Sequence, residues 1–163
     1  AVAARSVLSY VTDRPAVLAE ARRVLKPGGA VSLFEPVLAE EELVMDWGEE
    51  TYAWSRLRGL LERHHPAYSF RRVRLVEEVA GAGFREVDHF TWHADVTRPF
   101  AGEEDAMEEF SAGLPGEFSL LSCWLEHGVE MEEVRRVAAR LARESRKPSY
   151  RDTLPCLYIW GTK

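Results

Sequence analysis

Pro27-Gly28-Gly29 separates two segments of different hydrophobic period, and this junction constrains the fold more than any other feature. Before it, Asp13 is a good N-cap, and Pro15 falls in the first turn, where a missing N–H costs little. Val17, Leu18, Ala21, Val24 and Leu25 then recur at helical spacing, which predicts a helix over residues 13–27. Gly28 can adopt the left-handed conformation that commonly follows a helix end. After the stop, Ala30-Val31-Ser32-Leu33-Phe34 is mostly apolar, as a strand buried on both faces of a parallel sheet requires. That strand ends in Glu35-Pro36, and open α/β sheets bind ligands at the C-terminal ends of such strands.

The rest of the chain continues the alternation. Residues 38–64 are helical in pattern and carry Trp47, Tyr52 and Trp54. A second amphipathic helix is predicted over residues 73–82, with Leu75, Val76, Val79 and Ala80 on one face and Gly83 closing it. Residues 84–92 read as a strand, residues 99–115 as loop and acidic helix. Residues 131–145 form a strong amphipathic pattern with Met131, Val134, Val137, Ala138 and Leu141 inward. A final strand is predicted over residues 153–161, with Leu154, Cys156, Tyr158 and Trp160 on one face. Strands alternating with helices point to an α/β sheet.

Composition narrows the function. The 163 residues suit one domain, and a net charge of −6 argues against a nucleic-acid partner, whose phosphates demand a basic surface. No apolar run approaches the ~20 residues of a membrane span. Cys123 and Cys156 are far apart and form no CxxC, so they read as free thiols in a reducing, cytoplasmic compartment. Charge is unevenly spread. Glu40, Glu41, Glu42, Asp46, Glu49 and Glu50 form an acidic run, and Arg135, Arg136, Arg140, Arg143, Arg146 and Lys147 a basic one. The simplest expectation is two solvated helix faces of opposite sign.

Three consecutive stretches carry a resemblance. They are Arg5-Ser6-Val7-Leu8-Ser9-Tyr10-Val11-Thr12-Asp13, then Glu20-Ala21-Arg22-Arg23-Val24-Leu25-Lys26-Pro27-Gly28-Gly29, then Val31-Ser32-Leu33-Phe34-Glu35-Pro36. Together they resemble the class I S-adenosylmethionine-dependent methyltransferase superfamily, most closely its small-molecule branch. Val76-Glu77-Glu78-Val79-Ala80-Gly81-Ala82-Gly83-Phe84 is similar to that family's helix into its sixth strand, and Leu157-Tyr158-Ile159-Trp160-Gly161 to its seventh, antiparallel strand. The implied fold class is α/β: the C-terminal half of a Rossmann-like sheet, with the end of strand 4, strands 5 and 6, antiparallel strand 7 and two helical inserts. The sheet core is expected at residues 1–36, 73–94 and 151–163, a lid-like helical insert at 37–72 and a second helical insert at 95–150.

The resemblance implies S-adenosyl-L-methionine as cofactor and a small-molecule methyl acceptor. The family's glycine-rich loop, its acidic ribose position and the acid or amide near the adenine have no counterpart here. Gly28-Gly29 follows a helix, so it is a helix stop and no phosphate cradle. The chain does not begin with Met and opens on what reads as the tail of a strand. The expectation is therefore a partial domain whose sheet a missing N-terminal half or a partner chain completes. Of the cofactor contacts, the resemblance leaves Arg5, Ser6 and Val7.

Methyl transfer from a sulfonium is an in-line displacement that needs alignment and water exclusion, with a base where the nucleophile carries a proton. Glu35 is a candidate base or substrate contact; the alternative is a carboxylate bonded to nearby backbone N–H groups. His64 and His65 are the other candidate bases. Tyr10, Trp47, Tyr52 and Trp54 are candidate acceptor-binding residues, against simple packing. His89 and His93 share a strand face ~13 Å apart, too far for one metal ion, and no metal is expected. Two further readings compete. One is a non-catalytic fragment acting as a binding or assembly module. The other is a nicotinamide-dependent Rossmann enzyme, which the direction of the last strand would distinguish.

Overall fold

The computed structural model describes residues 1–112 and 119–163. The last three residues of the predicted 99–115 stretch lie outside them. The chain divides into two compact units, Ala1–Glu41 with Pro66–Ala94 and Leu154–Lys163, and Glu42–His65 with Asp95–Thr153.

The first unit is a sheet with helices. Strand β1 (Val2–Arg5) runs parallel to β2 (Ala30–Pro36), with Arg5 opposite Phe34. Helix α1 (Arg14–Val24) connects them. It starts where the sequence says: Asp13 accepts from the Ala16 N–H at 3.0 Å. It stops three residues early, because Leu25 is already extended (ψ 140°) and Lys26 precedes a proline, which disfavours helical backbone. Gly28 is left-handed, φ 74°, and its N–H donates to the Lys163 carbonyl, tying the turn to the last strand.

That strand, β5 (Arg151–Thr162), runs antiparallel to β2, pairing Phe34 with Tyr158 and Ser32 with Trp160. Strand β4 (Arg85–Asp95) pairs with β5. Its start lies beside the end of β5, where Thr162 Oγ1 donates to the Arg85 carbonyl, while Phe90 stacks on Tyr158 further back, so these strands also run oppositely. The order is thus β1-β2-β5-β4. Gly161 permits the close approach of β4, since a Cβ there would sit 3.2 Å from Phe84 Cβ and Val87 Cγ2. The antiparallel direction of the last strand agrees with the methyltransferase-like sheet.

Two register expectations change. In β5 the buried residues are Leu157 and Ile159, while Tyr158 and Trp160 are exposed. In α1, Leu18 and Leu25 are buried, but Val17 and Val24 are exposed. One core therefore forms on one sheet face: Leu18 and Leu25, Leu75 and Val79 of α3 (Arg72–Gly81), and Val31, Leu33, Leu157 and Ile159 of the sheet. Each such side chain contributes roughly 1.5–3 kcal/mol by leaving water. Strand β2 is paired on both sides, and β1 is the outer strand.

The second unit is mainly helical. Only the second half of the 38–64 stretch is α-helix. A 3-10 turn at Leu38–Glu40 belongs to the first unit; in the second, strand β3 (Glu42–Val44) pairs with Arg151–Thr153, a 3-10 turn occurs at Gly48–Glu50, and α2 begins at Thr51 and runs to His64. The break follows from Gly48, left-handed at φ 51°, whose N–H donates to Asp46 Oδ1. Helices α4 (Glu103–Ser111), α5 (Leu120–Glu126) and α6 (Met131–Glu144) complete the unit; α5 was not expected. Val134, Val137, Ala138 and Leu141 are buried as predicted, while Met131 is exposed. Trp124 anchors this core, with its indole N–H donating to the Leu57 carbonyl and its ring edge-on to Phe110. The acidic and basic runs are not separate solvated faces. Asp46 pairs with Arg140 at 3.1 Å and Glu50 with Arg136 at 3.4 Å.

Candidate functional site

The C-terminal ends of β1 and β2 hold one cluster of sequence-selected residues: Arg5, Ser6, Val7, Tyr10 and Glu35. Ser6 turns the chain out of β1 in the left-handed region, φ 54°, while its N–H still donates to the Phe34 carbonyl at 2.8 Å. A side chain there is strained, so neighbouring bonds must hold the turn.

Glu35 supplies them. Its carboxylate is fully buried, and Oε1 accepts from the N–H groups of Val7 (3.1 Å) and Leu8 (3.0 Å) while Oε2 accepts from Ser9 (3.3 Å). Charge-assisted bonds of this kind are stronger than neutral ones and offset the cost of burying a carboxylate. Glu35 is thus bonded to backbone N–H groups, the plainer of the two roles read from sequence. The loop it holds ends in a 3-10 turn, Leu8–Tyr10. Burial pushes the Tyr10 hydroxyl up and the Glu35 charge adds to this, with the neighbouring Ser9 side chain opposing. Tyr10 is accordingly a neutral phenol at neutral pH.

An adenosyl sulfonium cofactor can be tested against this loop. The N–H groups of residues 6 to 9 are all used internally. The loop therefore offers its carbonyl oxygens, the Ser6 hydroxyl and the exposed Val7 side chain, and lacks backbone donors for a carboxylate. Ser6 and Val7 offer a hydroxyl and an exposed apolar side chain, whereas Arg5 is an exposed charged one. The Arg5 guanidinium lies over the Phe34 ring, 5.1 Å from its centroid.

The other sequence-selected residues lie in the second unit. Trp47 and Trp54 stack at 4.5 Å, whereas Tyr52 is largely exposed and lines an open groove of about 560 Å³ with Glu49, Glu50, Arg56, Glu133 and Arg136. His64 is exposed and stacks on His127 at 3.8 Å; burial, then the neighbouring His127 and Arg63 charges, lower its pKa. His65 is buried. In the first unit, His89 lines a groove with Arg72, Val73, Val76, Glu77 and Thr91. Among the described residues no three His, Cys, Asp or Glu side chains gather as a metal site, and no helix is long and apolar enough to cross a membrane. Both cysteines are buried free thiols, raised by that burial.

Sequence reasoning missed the buried pair of Arg14 with Glu78, at 2.8 Å, beside the Phe70 ring. It also missed Asp152, whose carboxyl pKa burial raises to about 6. Neither has a local motif that would have revealed it.

The fold and this cluster define a Rossmann-like α/β sheet with an antiparallel last strand and a loop site at its strand ends. Residues 1–33 match the family model described as a methyltransferase domain. No curated protein matches the chain. Similar solved structures include a Bacillus halodurans C-125 protein assigned as a methyltransferase, 14% identical with a TM-score of 0.48, the alignment covering 99% of this chain and 68% of that one. The phosphoethanolamine N-methyltransferase 2 of Haemonchus contortus, in complex with phosphomonomethylethanolamine and S-adenosylhomocysteine, is 12% identical with a TM-score of 0.40, covering 99% and 32%. A Galdieria sulphuraria protein assigned as a sarcosine dimethylglycine methyltransferase is 15% identical with a TM-score of 0.39, covering 96% and 51%. The chain spans about a third to two thirds of the length of these proteins.

Proposed function

We propose that this chain supplies the substrate-side half of an S-adenosyl-L-methionine-dependent methyltransferase acting on a small-molecule acceptor. The observation that carries the reading is the Arg5–Tyr10 loop, held by Glu35 at the strand ends, within the segment that matches a methyltransferase domain. The antiparallel β5 beside β2 favours it over a nicotinamide-dependent sheet. The net charge of −6 suits a small acceptor better than a nucleic acid.

When bound, the cofactor supplies an electrophilic methyl group on a sulfonium. The chain's own part is positioning. Ser6 and Val7 form a wall with fixed backbone, and Glu35 fixes it; rigid placement of reacting groups is where much of the rate of such a displacement originates. Tyr10 contributes a neutral hydroxyl and an apolar ring. His64, lowered in pKa, is a neutral proton acceptor at neutral pH, and Trp47, Tyr52 and Trp54 belong to the unit assigned as the acceptor lid. The complementary half of the domain adds its strands at β1, the outer strand, whose free N–H and C=O groups invite pairing.

The test is calorimetric titration of this chain with S-adenosylhomocysteine, its mass determined by sedimentation equilibrium. Micromolar binding that Val7→Asp weakens tenfold or more supports the assignment. Absence of binding by a folded chain transfers the chain to the other reading, a non-catalytic binding or assembly module.

A further inference from the structure

Within the second unit, the acidic and basic runs of the sequence meet in register. Glu133, Arg136 and Arg140 stand three and four residues apart, so they share one face of α6. Their partners follow in reverse order along the chain. Glu133 pairs with Arg56 at 2.5 Å, Arg136 with Glu50 at 3.4 Å and Arg140 with Asp46 at 3.1 Å. This charge zipper lays residues 46–56 along the helix.

The segment is not held alike throughout. Helix α2 is fixed by burial of Ala53, Leu57 and Leu61 and by the Trp124 indole on the Leu57 carbonyl. On the other side, β3 is fixed by its pairing with Arg151–Thr153. Between these two supports, none of residues 45–50 is buried. What reaches them from α6 is charge. Arg140 Nε donates to the Asp46 carbonyl at 2.8 Å, and its Nη2 meets the Asp46 carboxylate. Arg140 is itself set from behind: Nη2 also lies 3.3 Å from Oε1 of Glu144, whose side chain is 3% exposed and pairs with Lys147 at 2.7 Å. Asp46, in contrast, is 72% exposed. Salt therefore screens the Asp46 side of this clasp far more than the Glu144 side. Gly48 completes the fit, since a Cβ there would lie 3.0 Å from Arg140 Nη2.

We propose that residues 45–50 form a flap latched by Arg140, closed at low ionic strength and released as ionic strength rises. Exposed ion pairs are individually weak, so the latch is poised between its two states. Release carries Trp47 away from Trp54, on which it stacks at 4.5 Å in the closed state, while β3 and α2 stay in place on either side. The latch lies within one unit, and it operates whether or not these tryptophans receive a methyl acceptor.

Amide hydrogen exchange at about 0.1 M and about 1 M NaCl tests it, the screening length falling from ~10 Å to ~3 Å. The Gly48 and Glu50 amides donate to Asp46 Oδ1 and to the Trp47 carbonyl. At the higher salt both are expected to exchange about threefold faster or more, while the His65 amide, bonded to the Leu61 carbonyl, keeps its rate. Arg140→Gln should speed the same two amides at low salt and remove their salt dependence, and Arg140→Lys should retain part of it. Gly48 and Glu50 amides that ignore salt in the wild type, that follow His65, or that are unchanged in Arg140→Gln overturn the proposal. Failure of S-adenosylhomocysteine binding would not bear on it.

Discussion

The Glu35 carboxylate reaches back 27 residues to the backbone of Leu8, Oε1 accepting its N–H at 3.0 Å with neither group open to water. Glu35→Ala strands three buried or half-buried donors, each costing about 1–3 kcal/mol when unpaired. The variant is expected to lose about 3 kcal/mol or more in urea unfolding. Glu35→Gln keeps one acceptor and should lose less, about 1–2 kcal/mol. Hydrogen exchange separates local from global effects: in Glu35→Gln the amides among Val7, Leu8 and Ser9 that face the new NH2 group should lose protection while the Ile159 amide keeps it. Equal loss at all four would show that Glu35 has no special hold on the loop.

The sequence made some of this arrangement legible, and the boundary is physical. Helix α1, its stop and β2 were readable because Asp13, Pro15 and Gly28 each act within a few residues of their own position. The closing of Glu35 on residues 7–9 is a tertiary contact, and the sequence offered only its two possible roles. In β5, Pro155, Leu157 and Ile159 are as apolar as Leu154, Cys156, Tyr158 and Trp160, so period-two patterning could not choose the buried face. Over residues 38–50 the helical pattern was overridden by Gly48 and the Asp46 turn. The pairing of Asp46 and Glu50 with Arg140 and Arg136 joins segments some 90 residues apart, which no charge count reveals.

Arg14 and Glu78 make a nearly buried ion pair, with side chains 11% and 12% exposed, two hydrogen bonds and the Phe70 ring beside the guanidinium. Removing one partner leaves a buried charge uncompensated, which typically costs 3–5 kcal/mol, whereas replacing both with apolar groups is often close to neutral. Glu78→Ala is therefore expected to destabilise by about 3 kcal/mol, and Arg14→Met with Glu78→Leu by about 1 kcal/mol or less. Arg74, which also reaches Glu78 at 3.1 Å, is exposed, and Arg74→Ala should cost under about 1 kcal/mol. Thermal and urea unfolding of the four proteins would check the ordering. A double variant as unstable as Glu78→Ala would contradict the account.

Asp152 gives the second unit a pH dependence opposite to that of most carboxylates. Burial first, then the charges of Glu109 and Asp95, raise its pKa from 3.8 to about 6, with Arg58 opposing. Among the described residues its Oδ1 has no hydrogen-bond partner, while its backbone N–H donates to Thr97 Oγ1 and its carbonyl accepts from Val96. A folded pKa above the unfolded one means that the folded state holds the proton more tightly. The stabilisation is complete below the unfolded value of 3.8 and is lost as pH rises through about 6. Asp152→Asn keeps the backbone bonds and removes the charge. It should match the wild type near pH 3.5 and exceed it above pH 7 by about 1–2 kcal/mol, allowing for solvent screening of a partly exposed group. Urea unfolding of both proteins between those limits measures the difference, and a gap that narrowed with rising pH would place the Asp152 carboxylate in a stabilising pair instead.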